Sequence, residues 1–251
     1  MTFPKGMRVY EVGGFIRDSL LRIPSKDIDF AVEGPGSLAD MACDLADAGF
    51  DVFQTNDSTF TVRARFPKGW TASPTVADGY GGLAADFVLC RKEGPYSDGR
   101  HPDWVQVGDL FDDLARRDFT VNAIAFDIER RVYIDPHYGR EDIKHRQLRF
   151  VGNAQDRLTE DALRAVRGLR FIITKGLNPV HSTWVAITSE ATAERLADND
   201  IVSVERIREE LYRMFKHDTR ATLDLLTQLP THTYDAIMRS GLWLEPTLKD
   251  R

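Results

Sequence analysis

The chain has 251 residues, 42% hydrophobic and 29% charged, with a formal net charge of −6; that length and apolar fraction allow one large or two small buried cores and exclude a low-complexity chain. No stretch approaches the roughly 18–20 uninterrupted apolar residues of a membrane span, and MTFPKGMRVYEVGG lacks an apolar signal core with a small-residue cleavage site, so a cytoplasmic globular protein is expected. Cys43 and Cys90 lie far apart, without a CxxC or a histidine at ligand spacing, which excludes structural zinc and a disulfide framework.

In chain order, MRVYEV reads as a strand, FIRDSLL as a short helix and DIDFAVE as a second strand, a βαβ-like start. LADMACDLADAG reads as a helix closed by Gly49, and TFTVRARF as a strand with period-two alternation. The segment Pro67–Gly82, rich in Gly, Pro, Ser and Thr, reads as a surface loop, LAADFVLC as a strand, and RKEGPYSDGRHPDWVQVGD as a second polar loop. A helix around RRDFTVNAIAFD, in which Asp118 can cap the N-terminus, and a strand RVYID complete this half.

After about residue 145 the period becomes helical in TEDALRAVRGLRFIITKG, HSTWVAITSEATAERLAD and VERIREELYRMF, the last with Ile207, Leu211, Met214 and Phe215 on one face. The expected fold is α+β: a mixed β-sheet with helices over 1–145, then an all-α part over 146–251. The acidic net charge counts against a nucleic-acid partner, but Arg140–Lys175 carries nine Lys or Arg against five acids. One stretch is basic inside an acidic protein, and phosphate attracts such a stretch.

Residues i and i+2 of a strand share a face, so Asp27 and Asp29 project together while Ile28 turns into the core. Two such carboxylates repel unless a cation lies between them, and hard divalent ions prefer carboxylate and phosphate oxygens. The Gly13-Gly14 turn leads into a helix whose first amides and positive dipole end suit a phosphate, and Arg17 can fork onto its oxygens. Either element alone is a common turn or surface strand; strand, GG, helix, then DxD puts both at one end of adjacent strands. Asp86 is a further acid on an apolar strand, where an unpaired charge is costly. A metal or an arginine partner explains it, and both stay open.

VGGFIRDSLLRIPSKDIDFAVEG, ADFVLCRKEGPYSDGRHPDWV, DDLARRDFTVNAIAFD, IDPHYGREDIKHRQLRFVG and EDALRAVRGLRF resemble, in order, the motifs of the bacterial-type (class II) CCA-adding tRNA nucleotidyltransferases and their poly(A) polymerase relatives. The resemblance is dense over residues 8–175 and looser at ERIREELYRMF. It implies a nucleotidyltransferase head followed by a helical neck and body, and the addition of C and A from CTP and ATP to the 3′ end of tRNA without a template. Asp27 and Asp29 would then hold Mg²⁺, with Asp86 a less secure third catalytic acid. Gly14, Arg17 and Arg117 would contact the nucleotide, while Asp118 and Asn122 brace the RRDFTVNA segment.

Base choice has a physical basis. Cytosine and adenine present an amino donor beside a ring-nitrogen acceptor, and uracil and guanine the reverse, so a carboxylate paired with a guanidinium accepts C and A. Asp161 and Arg164, i and i+3 on one expected helix, suit that task and match the family's template positions. Arg167 and Arg170 match nucleotide-binding positions, with a salt bridge as the bland reading of each; Arg170 lies about half a turn from Asp161.

The sequence also departs from the family. Arg22 stands where glycine is common, YGR replaces a common double glycine near Gly139, and the chain stops where members continue into more body and an RNA-gripping tail. A compact enzyme would compensate by dimerisation or by a looser grip. A poly(A), CC-only or A-only transferase on another RNA, and a catalytically silent RNA- or nucleotide-binding protein, stay open as alternatives.

Overall fold

The computed structural model describes residues 2–25, 28–70, 79–99 and 101–241. Asp27 and residues 71–78 of the expected surface loop lie outside them. The chain divides into two compact units: Met1–Glu93, Trp104–Arg117 and Val121–Arg140 form the first, and Gly94–Asp103, Asp118–Thr120 and Glu141–Arg251 the second.

The first unit runs β1 (Arg8–Val12), α1 (Gly14–Leu21), β2 (Asp29–Glu33), α2 (Leu38–Asp47), β3 (Asp51–Asn56), β4 (Thr61–Arg65), β5 (Ala84–Leu89), β6 (Arg91–Glu93), β7 (Val105–Val107), α3 (Leu110–Ala115), β8 (Ala125–Asp127) and β9 (Val132–Ile134). Seven strands make a mixed sheet in the order β3-β4-β5-β2-β1-β8-β9. The start is not a parallel βαβ: β1 and β2 pair antiparallel, Val12 opposite Asp29, because the short connection through α1 brings the chain straight back alongside. The parallel pair is β2 with β5, which sets Asp29 beside Asp86 and Phe30 beside Phe87.

Alternation separates the two faces of this sheet. Phe30, Val62 and Phe87 turn to one side with Phe50, Phe66, Trp70 and Tyr80, all buried, and the Phe30 and Phe87 rings stack with centroids 5.0 Å apart. Each such ring contributes roughly 1.5–3 kcal/mol by burial. The intervening residues Asp29, Asp86 and Arg63 share the other face, since residues in register on neighbouring strands point the same way. A dry aromatic layer thus backs a row of charged groups.

Two expectations here are corrected. The second polar loop contains the antiparallel hairpin β6–β7, each strand too short and polar to show a period. The helix expected over RRDFTVNAIAFD lies earlier: α3 starts at Leu110, fixed by a reciprocal cap in which the Asp109 side chain accepts from the Asp112 amide and the Asp112 side chain from that of Asp109. Thr120–Asn122 form a 3-10 turn, and Ala125–Asp127 are strand β8. α3 ends before Asp118, whose Oδ1 accepts from the amide of Phe119 at 2.7 Å.

Among its described residues the second unit is helical apart from one two-stranded pair and an isolated bridge between Phe119 and Phe150. Helix α4 (Gly139–Lys144) enters it, then come β10 (Gln147–Leu148), α5 (Ala154–Glu160), α6 (Leu163–Lys175), β11 (Asn178–Pro179), α7 (His181–Ile187), α8 (Glu190–Ala197), α9 (Val204–His217), α10 (Thr219–Leu226) and α11 (Thr231–Met238). The parallel β10–β11 pair qualifies the all-α expectation. Two expected helices are each broken in two. Asp161, with φ −150° and ψ 102°, separates α5 from α6, and Ser189 restarts the chain as α8 by capping the amide of Thr192. Ile207, Leu211, Met214 and Phe215 of α9 are all buried, as the spacing requires. Among the described residues no helix is long and apolar enough to cross a membrane.

Candidate functional site

In the first unit β1 delivers the chain to Gly13, whose φ of 73° with ψ of −134° is backbone that side chains rarely adopt. Helix α1 starts at Gly14, so its first amides sit at the end of β1, opposite the start of β2. A Cβ added at Gly13 would lie 3.0 Å from Arg117 Nη1 and 3.8 Å from Asp29 Oδ2. The turn, the acid and the cation therefore converge, and a side chain at Gly13 would press on the Arg117 guanidinium.

Arg117 is gripped from behind. Its Nε and Nη2 donate to Asp113 Oδ2 at 3.3 and 2.9 Å, and Nη1 donates to the carbonyl of Asn122 at 3.1 Å. Asp113 is fully buried and also takes Arg116, at 2.5 Å from Nη2. Burial disfavours its charged form, but Arg117 and Arg116 outweigh that and hold the carboxyl below the usual carboxylate range. Arg17, expected to fork onto phosphate, is itself buried; Nε donates to Asp18 at 2.8 Å and Nη1 to Asn122 Oδ1 at 2.5 Å. A Cβ at Gly14 would lie 3.5 Å from Arg17 Nη2, so the guanidinium curls over the turn. Asn122 braces both arginines, one through its side chain and the other through its carbonyl.

Asp86 carries the partner that the bland reading allowed. Arg63 donates from Nε at 2.6 Å and from Nη2 at 2.9 Å, a two-point fork onto both carboxylate oxygens. The pair lines a cleft of about 270 Å³ with Gln54, Asn56, Thr59 and Thr61. Among the described residues no group of three or more His, Cys, Asp or Glu could hold a metal ion; Asp27 is outside that set. Asp29 and Asp86 stand in register on adjacent strands and supply hard oxygen donors of the type a divalent ion takes.

In the helical unit the four expected nucleotide-binding residues each have a protein partner. Asp161 and Arg164 are not on one helix, because the break between α5 and α6 falls at Asp161. Freed from the helix, the Asp161 carboxylate accepts from the Leu163 amide at 3.1 Å through Oδ1 and from Arg206 Nη2 at 2.9 Å through Oδ2. Arg164 Nη1 donates to Glu160 at 2.6 Å and to the carbonyl of Arg157 at 3.1 Å. Arg167 pairs with Asp118 at 2.6 Å, which raises its pKa, and Arg170 pairs with buried Glu210 on α9. Burial lowers the Arg170 pKa against the pull of Glu210. All four side chains are half-buried.

No spacing in the sequence singles out Arg63 or Arg206 as a partner of the site. Asp113 alone left a signal, an acid three and four residues before the paired arginines of ARRDF.

The poly A polymerase head domain family matches residues 9–149. The CCA-adding enzyme of Staphylococcus saprophyticus is 34% identical over 212 residues, 84% of this chain and 47% of that protein. The CCA-adding enzyme of Geobacillus thermodenitrificans is 35% identical over 242 residues, 95% of this chain and 54% of that protein. Among solved structures, the Bacillus stearothermophilus CCA-adding enzyme in complex with CTP is similar with a TM-score of 0.70 and 30% identity, covering 89% of this chain and 48% of that one. The Thermotoga maritima CCA-adding enzyme complexed with tRNA shares the fold, with a TM-score of 0.64 at 23% identity, over 92% of this chain and 48% of that one. This chain spans about half the length of the curated relatives it matches.

Proposed function

The chain belongs to the poly A polymerase head domain family, and from that premise we propose that it is a template-independent RNA nucleotidyltransferase adding C and A from CTP and ATP to the 3′ end of tRNA. One observation carries the reading: Gly13, Asp29 and Arg117 converge at the junction of β1, α1 and β2. That junction offers helix amides, a cation and a carboxylate to one triphosphate, inside residues 9–149 that match the head domain family.

In this reaction the primer 3′ oxygen attacks the α-phosphorus, the bond to the β-phosphate breaks, the hydroxyl proton is lost and pyrophosphate leaves. Positioning and electrostatics supply most of such catalysis. Asp29, with Asp27, would hold Mg²⁺, which when bound lowers the pKa of the attacking hydroxyl and neutralises the triphosphate. Asp86 keeps Arg63 as its ion-pair partner beside Asp29. The amides after Gly13 and the guanidinium of Arg117 bind phosphate oxygens, and Arg17 stiffens the turn from above.

The helical unit supplies base choice. Each oxygen of Asp161 already accepts one hydrogen bond, yet a carboxylate offers about four lone-pair sites. It can therefore take an exocyclic amino group without releasing its partners. Arg164, held by Glu160, offers the complementary donor. U and G would face Asp161 with an acceptor, and a buried mismatch of that kind discriminates strongly. Arg167 and Arg170 serve this reading as the braces of the helix, through Asp118 and Glu210. The reaction belongs to the cytoplasm, in keeping with the two free thiols.

The test is incubation of the protein and Mg²⁺ with tRNA ending before CCA, after C or after CC, and with an unrelated RNA, each labelled triphosphate being supplied singly and together. Stepwise C, C, A on tRNA supports the proposal, with Asp29→Ala as the inactive control. A-only, CC-only or long tails assign a related transferase, and binding without incorporation assigns a silent binding protein.

A further inference from the structure

Five charged side chains of the first unit form one connected row. Arg91 Nε donates to Glu93 at 2.8 Å, Arg116 Nη1 donates to the same Glu93 oxygen at 3.2 Å, and Arg116 and Arg117 both turn onto Asp113. Asp113 stands at the centre, fully buried, with one oxygen for each guanidinium. A planar guanidinium held at two nitrogens by one carboxylate keeps its plane as well as its place. Arg117 is held in this way at Nε and Nη2, which leaves Nη1 aimed past the Asn122 carbonyl at Gly13, beside Asp29.

We propose that Asp113 is a positioning residue for nucleotide binding: by fixing the plane of Arg117 it presents Nη1 to the triphosphate at the Gly13-Gly14 turn. Without the carboxylate, Arg117 is a long side chain with several rotamers and repulsion from Arg116, and its charge is spread over positions that do not meet the phosphate. The inference rests on the proposed function for the identity of the ligand, and on the Asp113–Arg117 geometry for everything else.

The experiment is a double-mutant cycle on the full chain. KM for CTP and kcat are measured with a tRNA primer for Asp113→Asn, Asp113→Glu, Arg117→Ala and the two double variants, with a melting curve for each. Asp113→Asn is expected to raise KM for CTP about tenfold with a smaller change in kcat, and to add less than about twofold in the Arg117→Ala background, the coupling expected of residues in contact. Asp113→Glu keeps the buried charge but displaces it by one methylene. It is expected to fold and to raise KM several-fold, so it carries the test if the Asn variant does not fold. Unchanged KM in a folded Asp113 variant overturns the proposal, as does an equal effect with and without Arg117. If the wild type incorporates nothing, the proposed function fails on its own, and the same cycle is read as the Kd for CTP by calorimetry; absence of CTP binding by the wild type overturns the inference as well.

Discussion

A single methyl group at Gly13 tests the phosphate turn from two sides. Positive φ at this residue costs a non-glycine side chain about 1–3 kcal/mol. At roughly 2–4 °C per kcal/mol for a chain of this size, Gly13→Ala melts several degrees below the wild type. The second effect is local. The new Cβ lies 3.0 Å from Arg117 Nη1, so the guanidinium must retreat by a few tenths of an ångström. A misplacement of about 1 Å at a reacting centre costs about a hundredfold in rate, roughly 2.7 kcal/mol, and this smaller shift of Arg117 is expected to cost roughly tenfold. Steady-state incorporation of CMP into a tRNA primer and a melting curve on the same preparation separate the two. A kcat/KM within about threefold of wild type, alongside the expected drop in melting temperature, would mean that the turn is strained but holds no triphosphate, and the site would have to lie elsewhere.

Arg22 and Tyr138 both hold left-handed backbone, with φ of 61° and 59°, which costs about 1–2 kcal/mol in a non-glycine residue against the roughly 0.4–1 kcal/mol that glycine adds to unfolded-chain entropy. Arg22→Gly and Tyr138→Gly should each raise the melting temperature by up to a few degrees; a fall in both would refute the strain argument. Asp161→Ala should lower the preference for CTP over UTP in single-nucleotide incorporation by at least about tenfold, the worth of a charged hydrogen bond, and an unaltered ratio removes the template assignment. Because the folded pKa of Asp113 is depressed, its charge stabilises the protein fully above its unfolded value near 4, and that contribution is lost as pH falls through the folded value. The gap in urea midpoint between wild type and Asp113→Asn should therefore shrink below about pH 4; a gap constant down to pH 3 contradicts the buried ion pair.

Features set by local spacing were legible before the structure. The alternation of TFTVRARF gave β4, and the closing Gly49 gave the end of α2. Features set by partners distant in the chain were not legible. Arg206 reaches Asp161 across 45 positions and Arg63 reaches Asp86 across 23, and no period or spacing announces such pairs. The breaks at Asp161 and Ser189 escaped because the apolar stride continues through them while a side chain captures the next helix's amides. The helix at RRDFTVNA was misplaced for a related reason: the polar pair Asp109 and Asp112 caps its true start, whereas the apolar run that followed belongs to β8. The arginines of α6 were identified, but their charge partners were not.

The path of the backbone has a practical corollary. The chain passes from one unit to the other after residues 93, 103, 117, 120 and 140. Within the second unit Gly99 abuts Arg195 and Ile201, and Phe119 lies against Phe150 and Phe171. Scissors applied at Arg140 would therefore strand two segments away from the side chains that bury them, leaving Phe119 as a greasy flap. Genetic dissection of this protein into separately expressed halves is better attempted by co-expressing the fragments than by trusting either to stay in solution by itself.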